Sequence, residues 1–152
     1  MKIKRIIFEG GALCSPVDGV HIDVTALLPT IGRDRKLVAL LNGGENGGNR
    51  AFFRSAMTIF FSEIVSGHEL TDRLIAGSLD GTPPSQALFV ASSVKSVEVV
   101  RSSGVTVIGN PRGIPTENEK SEVVKWFDAG ARYVVRDFYN LSQTIYTLGN
   151  LP

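Results

Sequence analysis

The chain of 152 residues holds one cysteine, one tryptophan and two histidines. Each scarcity closes off a class of chemistry. Cys14 has no partner for an intrachain disulfide, which suits a reducing compartment. His21 and His68 lack partners at metal-ligand spacing and read as loop or surface residues. Charge of one sign is also missing: sixteen basic against fifteen acidic residues leave +1, so no overall field draws the protein to nucleic acid or anionic lipid. No apolar run approaches the roughly 18 to 20 residues needed to span a bilayer. The basic, apolar start Met1 to Phe8 is cut by Glu9, Gly10 and Gly11 before a secretory core is complete. A soluble, cytoplasmic protein without nucleic-acid or membrane partners is expected.

Apolar residues make up 43% of the chain, enough for one core, and a single domain over 1–152 is expected. Short aliphatic runs recur between Gly, Pro and polar clusters, the pattern of strands buried on both faces. They are Ile3–Phe8, Leu37–Leu41, Arg73–Gly77, Ala87–Ala91, Val105–Gly109 and Tyr133–Val135. Helical patterns fall between most of them: Ile22–Ile31 with Pro29 near its end, Asn49–Val65, Val94–Ser102 before Gly104, Glu117–Ala129 and Phe138–Leu148. Thr116 and Glu119 have capping-box spacing at the start of the fourth. Trp126 reads as core. Over Asn49–Val65 the residues Phe53, Met57, Phe60, Phe61 and Ile64 share one helical face, which Phe52, Ala56 and Ile59 widen. That width suggests a helix partly covered by a second copy of the chain. The alternation predicts an α/β fold, a Rossmann-like three-layer sandwich around a mainly parallel sheet.

Ligands bind such sheets outside the carboxyl ends of the strands. The candidate ligand-binding residues are therefore Glu9, Gly10 and Gly11, Asn42, Gly43 and Gly44, Ser92 and Ser93, and Asn110. The glycine cluster from Gly43 to Gly48 lies between a strand and a helix. It matches neither a Walker loop nor a dinucleotide fingerprint, and reads either as a plain loop or as an anion site with Arg50. Asp18, with Asp23 nearby, follows Pro16 rather than an apolar strand and reads as a turn. Cys14 has no base visible in the sequence and reads as an incidental thiol.

Two segments carry a family resemblance. Ala87-Leu88-Phe89-Val90-Ala91-Ser92-Ser93 through Ser96, running on to Gly104-Val105, resembles the fourth motif of haloacid dehalogenase-type phosphatases. Phe127-Asp128-Ala129-Gly130-Ala131 to Val135 is similar to that family's terminal segment. The resemblance implies a haloacid dehalogenase-like core, here without a separate cap domain, and a phosphotransfer site built from four motifs. Glu9 stands where the family's nucleophilic aspartate would be, and the proton-shuttling carboxylate is absent. Leu41 or Asn42 takes the place of a phosphate-binding hydroxyl. Thr82, in Gly81-Thr82-Pro83, takes the place of the lysine, and no lysine occurs between Lys36 and Lys95. Ser92 and Ser96 replace the magnesium carboxylates, and neutral hydroxyls hold a hard cation poorly.

Covalent catalysis depends on placement finer than the extra methylene of a glutamate. Losing nucleophile, acid, lysine and metal ligands together implies a non-catalytic protein that binds a partner chain or a small anionic ligand and needs no cofactor. The alternative is a hydrolase with an altered site, using Glu9 or Asp18; only that alternative calls for magnesium.

Overall fold

The computed structural model describes residues 2–15, 19–41, 48–67, 69–112 and 116–149. Asp18, Asn42, Gly43, Gly44 and His68 lie outside them. Strand β1 (Arg5–Glu9) leads into one helical turn, α1 (Gly10–Leu13), and a two-strand hairpin of β2 (Cys14–Ser15) and β3 (Gly19–Val20). Helix α2 (Ile22–Ile31) returns the chain to β4 (Lys36–Leu41), and α3 (Gly48–Phe53) precedes β5 (Glu63–Ser66). The remainder alternates: α4 (Asp72–Ser78), β6 (Ala87–Ala91), α5 (Val94–Val100), β7 (Thr106–Gly109), α6 (Glu119–Ala129), β8 (Tyr133–Val134) and α7 (Phe138–Gly149).

Six strands form a parallel sheet in the order β5-β4-β1-β6-β7-β8. The period of two divides each apolar run between the faces. Ile6, Phe8, Leu37, Ala39, Leu41, Leu88 and Val90 pack on α2 and α7. Ile7, Val38, Leu40, Phe89, Ala91 and Val107 pack on α4, α5 and α6. The expected three-layer α/β architecture is therefore present. The chain first walks outward from β1 to β5, then returns to β6 on the other side of β1. The covering helices change face with that reversal, as a single crossover hand requires. Among the described residues no helix is long and apolar enough to cross a membrane.

Two sequence expectations are corrected. Arg73–Gly77 is not a strand but lies within α4, because Thr71 caps a helix there: its side chain accepts from Leu74 N–H at 3.1 Å. Ile75 and Leu79 then enter the core four residues apart. The crossover into β6 thus runs from β5 through residues 67–86, long enough for a parallel connection.

Nor is Asn49–Val65 one helix. Ser55 Oγ donates to the Phe52 carbonyl at 2.7 Å and accepts from Met57 N–H at 3.3 Å, so α3 stops and a 3-10 segment, Ala56–Phe60, follows. Ser62 then bonds the Leu37 carbonyl through both N–H and Oγ, which starts β5 along the edge of β4. Pairing of an otherwise open edge, with β-branched Ile64 and Val65, overrides the helical spacing. The expected helical face for a second copy does not form. Phe52 is instead buried and meets Phe61 edge-on, Phe61 meets Phe8, and Phe8 stacks on Phe138 at 5.6 Å. Ile59 stays 77% exposed.

The core tolerates added volume unevenly. An ideal Cβ on Gly109 would stand 2.5 Å from Trp126 Cε3, whereas one on Gly77 meets nothing within 4 Å. Gly109→Ala is expected to lower stability by about 1–3 kcal/mol, and Gly77→Ala in α4 to raise it by about 0.4–1 kcal/mol. Urea unfolding followed by the fluorescence of the single tryptophan measures both, and a neutral Gly109→Ala would contradict this packing.

Candidate functional site

The reversal of strand order places a crevice between β1 and β6, where an open α/β sheet presents its ligand edge. Glu9 ends β1 on one side and Ser92 follows β6 on the other. The apolar stretch Ile6-Ile7-Phe8 fixes β1 in the middle of the sheet and so carries Glu9, only 6% exposed, into this position. Its Oε1 accepts from both Ser92 N–H and Ser92 Oγ–H, each at 2.7 Å. Its Oε2 accepts from Ser96 Oγ–H. Ser93 caps α5 by accepting from Ser96 N–H at 3.2 Å, and the Ser93 and Ser96 hydroxyls lie 2.9 Å apart. The carboxylate is thus held by three donors from the start of α5 and the turn before it, bonds of the stronger, charge-assisted kind.

Gly11 lets the chain leave β1 this close to Ser92. A Cβ there would stand 2.7 Å from Ser92 Cβ and Oγ, so any side chain would push the two segments apart. Gly10 packs beside Leu41, the buried last residue of β4, which presents no hydroxyl. Beside the cluster Asn110, 1% exposed, ties β7 to its neighbours: its N–H donates to the Ala91 carbonyl and Nδ2 to the Val135 carbonyl. Its Oδ1 is buried without a partner among the described residues.

The structure therefore brings together Glu9, Gly10, Gly11, Leu41, Ser92, Ser93 and Ser96. It separates Thr82 from them. Thr82 Oγ1 accepts from Arg5 Nε at 3.2 Å, at the opposite end of β1. Four residue steps of strand, about 13 Å at ~3.3 Å per residue, separate Arg5 from Glu9. The Gly-Thr-Pro frame is a turn that ties α4 to the start of β1, where Arg5 also donates to the Ser78 carbonyl and faces Asp80. Thr82 does not occupy a lysine position. Arg50 is exposed on α3, beside the glycine cluster that is not described. His21 precedes α2 with Nε2 3.4 Å from the Gly11 carbonyl.

One polar pair near the strand ends escaped the sequence reading. Asp23, at the start of α2, accepts from Arg112 NH2 at 3.1 Å and from Phe138 N–H at 2.7 Å. Arg112 also donates to the Ala12 carbonyl and lies over the Phe138 ring. The pair ties α1, α2 and α7 to the segment after β7. Arg112 stands two residues beyond Asn110, so the strand-end rule could have found it.

The family resemblance implies magnesium, and the residues present do not fit it. A hard divalent cation takes about six or more oxygens, carboxylates foremost. Glu9 already accepts three donors, two on Oε1 and one on Oε2, and the Ser92 and Ser96 hydroxyls are turned toward it. Among the described residues no group of three or more His, Cys, Asp or Glu side chains could hold a metal ion. Cys14 does not supply a nucleophile either. Burial pushes its thiol from 9.0 up to about 11, so the thiolate is scarce at neutral pH.

Two predictions follow from this geometry. Ser96→Ala and Glu9→Gln should each cost about 1.5–3 kcal/mol, because each breaks a hydrogen bond to a buried charge. Together they should cost less than the sum, the mark of a shared interaction, whereas strict additivity in a double-mutant cycle would contradict the contact. For Cys14, the unfolded chain releases the thiol proton near pH 9 and the folded chain near pH 11. The stability this group contributes is therefore full below pH 9 and lost as pH rises toward 11. Alkylation at pH 8 should be slow in the native protein and fast in urea; equal rates would contradict the burial.

No family profile and no curated protein matches the chain. Solved structures do. A Thermotoga maritima protein provisionally named a beta-phosphoglucomutase is 12% identical with a TM-score of 0.73, over 99% of this chain and 100% of that one. A phosphonoacetaldehyde hydrolase-like protein from Oleispira antarctica is 12% identical with a TM-score of 0.68, over 86% of this chain and 57% of that one. A haloacid dehalogenase-like family hydrolase from Streptococcus pneumoniae is 11% identical with a TM-score of 0.65, over 83% and 60%. The chain thus spans little more than half of the latter two proteins. With the strand order, the crossover pattern and the Glu9 to Ser92 crevice, these likenesses establish that the chain has the haloacid dehalogenase-like fold.

Proposed function

We propose that this chain is a non-catalytic protein on the haloacid dehalogenase-like fold, acting by binding a partner chain or a small anionic ligand. The observation that carries the proposal is the state of the Glu9 carboxylate. Phosphoryl attack needs an oxygen with a free lone pair aimed at phosphorus, a donor for the leaving group and positive charge on the phosphoryl oxygens. Each Glu9 oxygen already accepts a hydroxyl proton. Oε1 accepts two donors, which fills its lone pairs, and Oε2 accepts one, which leaves a single acceptor site on the carboxylate. Among the described residues no lysine or arginine pairs with Glu9, and Thr82 stands at the other end of the strand. Glu9 acts here as a latch between β1 and α5.

The alternative, a hydrolase with an altered site, draws its support from the hydrolase names of the structural neighbours. The two readings part in a direct assay. With p-nitrophenyl phosphate and magnesium, the wild-type protein is expected to show no turnover above a Glu9→Ala control, and calorimetry no saturable magnesium binding. Turnover that Glu9→Ala abolishes while circular dichroism stays native would decide for the hydrolase.

A further inference from the structure

A charge imbalance sits at the opposite edge of the sheet. Cavities of about 320–580 Å³ open on the described surface away from Glu9, Ser92, Ser96 and Asn110. One of about 360 Å³ lies between the amino end of β1, the turn after α2 and the last turns of α7; Lys2, Arg33 and Arg35 line it. A second, of about 420 Å³, shares Lys2 and Arg35 and adds Lys4 and Lys36. The Lys36 N–H donates to the Lys4 carbonyl at 2.9 Å, so the last two are fixed side by side at the starts of adjacent strands. Five cations thus gather around one carboxylate, Asp34, in a chain whose total charge is only +1. None of the five makes an ion pair among the described residues.

We propose that this edge binds a small anion carrying two or more negative charges. Like charges held together repel, and a counter-anion relieves that cost. The helix α2 accounts for part of the cluster, since cations suit a helix C-terminus and Arg35 NH1 donates to the Ile31 carbonyl at 3.1 Å. It does not account for Lys2, Lys4 or Lys36, which belong to other segments. A second observation points to a ligand. Arg35 lines both cavities, and its Nε is buried with no acceptor among the described residues. A buried donor left unmade costs about 1–3 kcal/mol, and a turn of the side chain toward either cavity would carry it to an anion oxygen. Ile3, Ile31 and Ile145 give the cavity an apolar wall, and its volume is near the lower bound for small-molecule sites. The site extends the binding reading but depends on arginines remote from Glu9, so either can fail without the other.

The test is calorimetry of the whole chain with pyrophosphate, and in parallel with citrate, at low and physiological salt. Wild type should bind at least one of them saturably, and more weakly in salt. Arg33→Gln and Arg35→Gln should each weaken binding at least tenfold, while Lys125→Gln leaves it unchanged. The stronger of the two anions tells phosphate from carboxylate recognition. Arg33 is exposed, so its variant keeps the test decisive should Arg35→Gln unfold. Absence of saturable binding, equal binding by the arginine variants, or tighter capture of a single-stranded DNA oligomer than of either anion would overturn the proposal.

Discussion

The hydrogen bonds from Ser92 and Ser96 to the buried carboxylate of Glu9 govern what the rest of this fold can do. A carboxylate at the ligand edge of a parallel sheet must be matched by a cation or by donors, since an unpaired buried charge is costly. This chain supplies donors. One oxygen takes a backbone N–H and a hydroxyl, the other a second hydroxyl, and both serines stand at the start of the helix that follows β6. Once the charge is satisfied in this way, a magnesium ion would compete with existing bonds and would find too few further carboxylates among the described residues. The glycine at position 11 completes the arrangement by letting the turn after β1 close on Ser92.

Much of the fold was legible because its physical causes are local. Ala87–Ala91 reads as a strand from its composition and is one, and Ile22–Ile31 reads as a helix and is one despite Pro29. The strand at the sheet's edge was hidden for the opposite reason. Glu63–Ser66 is a four-residue strand, half-buried only at Ile64 and Val65, whose pairing is decided by the open side of β4, and the phenylalanines before it fall on a helical period by coincidence. Arg73–Gly77 was misread because a short apolar triplet gives no period, while the signal that settles it, Thr71 as a cap, lies outside the segment.

The site was legible only in part. Glu9 and the serines were placed together by motif order, which the sheet topology reproduces. Thr82 was misplaced because a Gly-x-Pro turn can sit at either end of a strand, and only the bond to Arg5 tells which. The contribution of Arg112 and Asp23 depends on a contact between residues 89 apart in the chain; the strand-end rule points to Arg112, but nothing local names Asp23 as its partner. The two ends of the sheet also differ in character. At the carboxyl edge the Glu9 charge is met by donors, whereas the amino edge gathers cations that make no ion pair among the described residues.

The most direct measurement of the central claim is a crystal structure grown in millimolar manganese, whose anomalous scattering reports any ion at the sheet edge. The latch predicts no anomalous peak within coordination distance of Glu9, with Ser92 and Ser96 still bonded to the carboxylate. A manganese ion ligated by Glu9, with the Ser96 hydroxyl displaced or joined to the metal, would contradict it.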